Sequence, residues 1–348
     1  MRILYVSYPL LPVSPESCGG AEQMLWTLER EMNARGHQTT VAACEGSIVA
    51  GRLFDTGYAP DASDRFEQRE AEHTMRIIEH LRWRKFDLIH DESGHFWRHA
   101  ARVDVPVLAT LHLPRTFYPT EEIGNLISDN VVFNCVSQSQ ARSFWDVLPR
   151  VDVVQNGIAY REFPFAPKKR EYLLWMGRIC PEKGTHIAIE VARRANMPLV
   201  IAGQVYPFRW HKEYYEREVR PHLDGRVWFA ETPMLERKLE MLSKARAVLL
   251  TSSVEETSSL VAMEAMACGT PVLALRRGAF PEIVADGFSG FVVDSKEEMV
   301  EAIGRVSEIN PLDCRLRVER EFSAERMADE YEALYERVIA ESVLPKAA

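Results

Sequence analysis

The stretch VLLTSSVEETSSLVAMEAMACGTPVLAL, Val248 to Leu275, reads as strand, loop, helix, turn and strand. VLLTS is a short apolar run of the kind that a buried parallel strand needs. Glu255 and Glu256 stand in a polar loop at its carboxyl end, and Ser258 and Ser259 are both residues that cap helices. LVAMEAMA follows with good helix formers, and Cys268-Gly269-Thr270-Pro271 stops it with Gly and Pro in the expected order. Glu264 lies inside this helix, eight positions after Glu256. Open parallel α/β sheets bind ligands outside the carboxyl ends of their strands, where a helix N-terminus offers N–H groups and a positive dipole end to phosphate. Carboxylates at the same place accept hydrogen bonds from sugar hydroxyls. The combination suits a sugar nucleotide, with phosphate in the middle and sugar at both ends.

The E-x7-E spacing, opening a helix that ends in EAMACGTPV, resembles the signature of the family 4 glycosyltransferases. The resemblance runs through residues 256 to 294. It implies retaining enzymes with the GT-B fold. This chain has Thr257-Ser258-Ser259-Leu260 where the family usually has Pro-Phe-Gly-Leu after the first Glu. A serine still donates its backbone N–H, so phosphate contact is expected to survive, while the shape around the sugar changes.

A chain of 348 residues exceeds what one hydrophobic core usually serves, so two domains are expected. The composition, 46% hydrophobic and 27% charged, is that of a soluble globular protein. A net charge of −9 argues against a nucleic-acid binder and against general attraction to anionic membranes. No apolar run reaches the roughly 18 to 20 residues of a membrane span. MRILYVSY reads as a first strand and not a signal peptide. Six cysteines (18, 44, 135, 180, 268 and 314) are scattered without a C-x-x-C pair. This pattern predicts reduced thiols in a cytoplasmic protein, with no disulfide frame and no zinc site. Cys18, alone in a Gly-rich loop, reads as a small packing residue.

Taken in order, residues 1–7 predict a strand and GGAEQMLWTLEREMNARGH a helix, with a glycine pair at its start. Gly19 and Gly20 allow a ligand to approach the backbone beneath the helix dipole. Residues 45–63 read as a loop and 64–85 as a long helix with Phe66, Met75, Ile78 and Leu81 on one side. Residues 87–90 and 106–111 read as strands, ending in His90 and followed by His112 respectively. Asn156-Gly157 marks a turn and 159–170 a linker. A second βα series opens with YLLWMGRICPEKG, whose Arg178 and Lys183 bring two cations to a strand end beside a helix start, as a diphosphate requires. PLVIAG ends in Gly203, and residues 323–342 read as an amphipathic helix. Neither G-x-G-x-x-G nor a P-loop is present, since Gly46 to Gly51 is followed by Arg-Leu. No Asp-x-Asp stands at a suitable strand end either.

The resemblance extends to Gly-Gly-Ala-Glu after the first strand, to G-R-x-x-x-E-K-G at 177–184 and to the segment around Pro281 and Glu282. It implies an α/β architecture of two Rossmann-like doubly wound parallel-sheet domains facing a cleft. Residues 1–158 would form the acceptor side, with the helix 323–342 crossing back onto it, and residues 159–322 would bind the nucleotide sugar. It further implies that Gly19 and Gly20 face the donor and that His112 lies close to the reacting sugar carbon. Arg178 and Lys183 would hold the diphosphate, with Gly203 near the nucleotide. Glu256 would hold sugar hydroxyls and Glu264 the ribose, while the backbone N–H groups of Ser259, Leu260 and Val261 stabilise charge on the phosphate. The expected activity is retaining transfer from a nucleotide sugar (UDP-sugar first, GDP-sugar next) to a hydroxyl of a carbohydrate or small-molecule acceptor. No metal and no other cofactor is expected. A GT-B sugar-nucleotide epimerase and a catalytically silent GT-B partner subunit are the alternatives.

Overall fold

The computed structural model describes every residue except 18, 60–65, 120, 122, 124–127, 149 and 344–348. Cys18 therefore lies outside the described residues. The chain forms two compact units, one from Met1–Gly157 joined by the C-terminal segment from Ala324, the other Ile158–Ser323.

Seven parallel strands make up the sheet of the first unit: β1 (Arg2–Val6), β2 (Gln38–Ala43), β3 (Arg52–Asp55), β4 (Leu88–Asp91), β5 (Val107–Leu111), β6 (Val131–Cys135) and β7 (Asp152–Val153). Their order is β3-β2-β1-β4-β5-β6-β7, and every pairing is parallel. Strands β1, β4 and β5 bury nearly all of their side chains, which explains why they read as apolar runs without alternation. The helix Gly20–Ala34 buries Met24, Leu25, Leu28 and Met32 against the sheet.

The C-terminal helix Ala324–Val343 completes this core. Tyr331 and Tyr335 on it are fully buried, and both bond to the sheet. The Tyr335 hydroxyl meets His90 Nδ1 at 2.7 Å, and Asn134 donates to the Tyr331 hydroxyl at 3.2 Å. At the helix surface, Glu332 accepts from Arg35 at 3.0 Å and from His37 at 2.9 Å.

Two sequence expectations need correction here. Residues 45–63 are not all loop, because Arg52–Asp55 is the edge strand β3. The long helix spans Phe66–Leu81, and Met75 is exposed while Ile77 and Ile78 are buried. Its inward face is partly polar. Arg69, 2% exposed, donates to the carbonyls of Thr56 and Tyr58, and His73 pairs with the Thr56 hydroxyl at 2.7 Å. The loop after β3 exposes carbonyls toward that helix, so the start of the buried face follows hydrogen bonding, and Ile77 and Ile78 supply its apolar part.

The second unit carries six parallel strands: β8 (Leu173–Met176), β9 (Leu199–Ala202), β10 (Val227–Phe229), β11 (Ala247–Leu250), β12 (Val272–Leu275) and β13 (Gly290–Val293). They run in the order β10-β9-β8-β11-β12-β13. Each sheet reverses its winding once, between β1 and β4 in the first unit and between β8 and β11 in the second. Loops that follow the two central strands part to opposite faces there and leave a crevice at their carboxyl ends.

Burial lowers both His73 and His90 to about 4 from the ordinary 6.5, helped by the charge of Arg69 at His73 and of His112 at His90. A depressed histidine stabilises the fold fully above the unfolded value and loses that contribution as pH falls through the folded one. Asp91 acts in the opposite sense, since burial raises it to about 6. Two histidines against one aspartate leave a net loss on the order of 3 kcal/mol between pH 6.5 and 4. Denaturant titrations across that range should show the fall, and His73→Gln should remove most of it. A His73→Gln protein with the full slope would contradict the assignment.

Candidate active site

The crevice between β8 and β11 is where the chemistry-bearing residues of the second unit collect. The loop after β8 makes a short turn, Pro181–Lys183, and reaches Gly184 at φ 66° and ψ 36°. A Cβ at Gly184 would sit 2.2 Å from the Thr251 carbonyl oxygen, so both conformation and space demand glycine. Thr251, just past β11, then clasps the loop. Its hydroxyl lies 2.8 Å from the Gly184 carbonyl and 3.2 Å from that of Lys183. The Trp175 indole donates to the same hydroxyl at 3.0 Å, and Ser253 N donates to the Glu182 carbonyl at 2.9 Å.

This clasp brings Lys183 to Glu256. Lys183 Nζ lies 2.6 and 2.8 Å from the two oxygens of Glu256, whose Oε1 also accepts from the Ser252 hydroxyl. The Glu256 side chain is 12% exposed and that of Lys183 31%. The backbone of Glu256 is fixed from the other side, since its carbonyl accepts from Ala279 N at 2.7 Å. Arg178 is exposed, with its guanidinium 5.5 Å from the Tyr206 ring centre.

Ser259 is the N-cap of the helix Leu260–Ala267, and its Oγ accepts from Ala262 N at 3.2 Å. The serine that replaces the customary glycine thus starts the helix soundly. Leu260 and Val261 follow in its first turn, where the N–H groups have no intrahelical partner and point outward. Glu264 is not a surface residue. Its side chain is 5% exposed and paired to Lys238 at 2.6 Å, yet Oε2 is buried without a hydrogen bond. Gly203, at the end of β9, packs so tightly that a Cβ would lie 1.8 Å from the Gly177 carbonyl oxygen.

In the first unit, Gly19 is the N-cap of the helix Gly20–Ala34, with no side-chain bond at the cap. Glu22, in the first turn, folds back over it, and burial holds the Glu22 carboxyl above its ordinary range. His112 is half-buried, and its Nε2 donates to Glu92 Oε2 in a short bond. Glu92 follows β4, is 3% exposed, and lies 3.2 Å from His90 Nε2. Burial would push the Glu92 carboxyl up, but the two imidazoles beside it hold it below the usual carboxylate range. His90 itself is part of the core network with Thr110 and Tyr335. It orients Glu92, which in turn orients His112.

The second unit therefore gathers Lys183, Glu256 and the start of the helix that carries Glu264, and the first unit gathers Gly19, Glu22, Glu92 and His112. Sequence reasoning missed Glu22, Glu92, Ser252 and Lys238. Glu22 stood in the quoted Gly-Gly-Ala-Glu, and Glu92 stood just past a strand end, so both carried a signal. Lys238 carried none, because its partner is 26 residues away on another helix.

A chain with two doubly wound parallel sheets, each with polar groups at its switch point, has the makings of a GT-B protein. Residues 158–320 match the family described as Glycosyl transferases group 1, and residues 18–161 match Glycosyltransferase Family 4. The chain belongs to the family 4 (group 1) glycosyltransferases and has the GT-B fold. It is 32% identical over 204 residues to the lipopolysaccharide 1,2-N-acetylglucosaminetransferase of Salmonella typhimurium, covering 52% of each protein. The chain spans about half the length of the curated relatives it matches. Among solved structures, a sucrose-phosphate synthase from Thermosynechococcus elongatus superposes with a TM-score of 0.81 at 20% identity, covering 98% of this chain and 100% of that one. The Anabaena protein HepE in complex with UDP-glucose gives 0.75 at 17% identity, covering 97% and 100%. No helix among the described residues is long and apolar enough to cross a membrane.

Removing one partner of a buried ion pair typically costs about 3 to 5 kcal/mol, because the other charge is stranded. Lys238→Met should therefore lower the unfolding midpoint markedly, and adding Glu264→Gln should restore much of it. Additive losses in the double variant would show that the two side chains do not depend on each other.

Proposed function

We propose that this protein is a retaining glycosyltransferase that moves a hexosyl group from a UDP-sugar to a hydroxyl of a carbohydrate or small-molecule acceptor. The observation that carries the reading is the Lys183–Glu256 pair at the β8/β11 switch point, beside the N-terminus of the helix Leu260–Ala267. A diphosphate arriving there takes Lys183 and Arg178 as counter-ions and the N–H groups of Ser259, Leu260 and Val261 as donors. Glu256, released from Lys183, then accepts from sugar hydroxyls. Glu264 Oε2, buried and unsatisfied, is suited to a ribose hydroxyl. UDP is favoured over GDP because HepE, a protein of the same fold, binds UDP-glucose.

In the reaction, the bond between the anomeric carbon and the diphosphate oxygen breaks, and its electron pair goes to the phosphate. The acceptor oxygen bonds to the same face of the sugar carbon, and its proton passes to the departing phosphate oxygen. Two cations and a helix terminus placed at the leaving group stabilise that charge as it forms, which is the work a metal does in other enzymes. The reading accordingly assigns no metal to catalysis. His112, held by Glu92, is assigned to the sugar hydroxyls near the reacting carbon, with Gly19 and Gly20 giving backbone access, and the first unit is assigned to the acceptor. The cytoplasm, where sugar nucleotides and reduced thiols coexist, is the proposed compartment.

A thermal-shift screen against UDP, GDP, ADP and TDP with their sugar derivatives tests the donor. A ligand at about 100 times its dissociation constant adds roughly 2.7 kcal/mol. Glu264→Ala should weaken UDP binding at least about tenfold, as expected for a lost charged hydrogen bond. Arg178→Ala combined with Lys183→Ala should cut turnover by about 10⁴-fold, at roughly 10² per lost donor, with the fold intact. Full turnover in that double variant would remove the phosphate assignment. An epimer formed without acceptor would point to an epimerase, and no response to any nucleotide to a silent partner subunit.

A further inference from the structure

The loop that carries Arg178 and Lys183 contains two further side chains, Cys180 and Glu182, that the proposed reaction does not use. The Sγ of Cys180, a carboxylate oxygen of Glu182 and a ring nitrogen of His211 all lie within 4.8 Å of one another. His211 comes from the helix Arg209–Tyr214, across from the loop. We propose that Cys180, Glu182 and His211 form a binding site for one thiophilic divalent cation of the zinc class.

Burial and packing support this together. Cys180 is fully buried and His211 is 3% exposed, so two of the three ligands are already withdrawn from water. The Nδ1 of His211 is buried without any hydrogen-bond partner, an arrangement that costs free energy unless something occupies it. The imidazole is held among the rings of Tyr206, Phe208 and Trp210, at centre distances of 6.0, 5.3 and 5.3 Å. That apolar collar fixes the ligand and lowers the local dielectric. The backbone beneath Glu182 is pinned by Ser253, and its exposed side chain already turns inward, with its carboxylate accepting from the Cys180 thiol. Bond lengths of about 2.0 to 2.3 Å place tetrahedral zinc ligands roughly 3.3 to 3.8 Å apart. With all three ligand atoms within 4.8 Å of one another, no pair has more than about 1.5 Å to close.

The chemistry selects the ion. Arg178 sits close enough for its charge to act on Cys180, Glu182 and His211, and it opposes any cation there. Magnesium and calcium, which need several oxygen ligands, gain little from one carboxylate. Thiolate and imidazole together favour zinc. Binding exchanges the Cys180 thiol proton for a metal–sulfur bond, so one proton is released per ion and affinity rises with pH. A bound ion ties the donor loop to the helix Arg209–Tyr214 and leaves one coordination position open. Because Cys180 and His211 are 31 positions apart and the cysteines show no pairing, the sequence pattern led to the expectation of no metal. The site stands independently of the glycosyl-transfer reading, since its test measures binding alone.

The test uses the full chain, free of any affinity tag, stripped with a chelator. Zinc titrated in competition with a chromophoric chelator should bind one ion per chain, and cobalt in its place should give a thiolate-to-metal charge-transfer band. Cys180→Ser should abolish that band and weaken zinc at least tenfold. His211→Gln should weaken zinc similarly, and Glu182→Gln, at an exposed position that cannot disturb folding, should weaken it by a smaller factor. Absence of a one-to-one complex in the unaltered protein, or zinc affinity unchanged in both Glu182→Gln and Cys180→Ser, overturns the proposal.

Discussion

The Thr251 clasp is the interaction on which the site of the second unit depends. In a doubly wound sheet the loops after the two central strands diverge, so nothing in the topology alone makes them touch. Here the Thr251 hydroxyl bridges to the Lys183 and Gly184 carbonyls while its own carbonyl closes over Gly184. The clasp converts a crevice into a fixed geometry. Bonds from Thr251 and Ser253 to the carbonyls of residues 182 to 184 hold the backbone of Lys183 beside Glu256, while its side chain can still turn. A β-carbon at 184 would push the two strands' loops apart, which explains why E-K-G ends in glycine.

The first unit solves a similar problem with a different device. Its switch-point residue Glu92 is placed by a chain of buried polar groups that begins on the C-terminal helix, from Tyr335 through His90 to Glu92 and His112. His90 is satisfied by Tyr335 and Thr110 and packs against Glu92, whose carboxylate accepts from His112 and orients it. The helix from Ala324 thus does more than cover the sheet, because its tyrosine hydroxyls are where the positioning of His112 starts.

Much of this was legible from the residues. Buried parallel strands announce themselves as unbroken apolar runs, and the two carboxylates at 256 and 264 were picked out by the strand-loop-helix order around them and by the family resemblance. The glycine pair 19–20 stands at a helix start as read, with Gly19 as the N-cap of the helix Gly20–Ala34. What escaped was set by partners distant in sequence. β3 is a four-residue edge strand with partly exposed side chains, too weak a pattern to read. The helix Phe66–Leu81 buries Arg69 and His73 because the carbonyls of residues 56 and 58 lie opposite, and periodicity of apolar residues has no access to that. The ion pair that Glu264 makes with Lys238 of a separate helix also left no mark in the sequence.

The state of Glu264 bears on why such a site is built this way. One oxygen is paired to Lys238 and the other is buried without a partner, so the unliganded protein keeps an unsatisfied acceptor at a free-energy cost. Glu256 is the complementary case, fully satisfied by Lys183 and Ser252 before any ligand arrives. On the proposed reading a nucleotide's ribose would relieve the first cost, whereas its diphosphate would have to draw Lys183 away from Glu256. Binding energy gained at the ribose would then be spent separating the ion pair. A nucleotide lacking the diphosphate would gain the ribose contact without opening that pair, and Glu256 would stay closed to the sugar. The arrangement makes readiness of the sugar-binding carboxylate conditional on the presence of the leaving group, which is where discrimination between donor and other nucleotides has to arise.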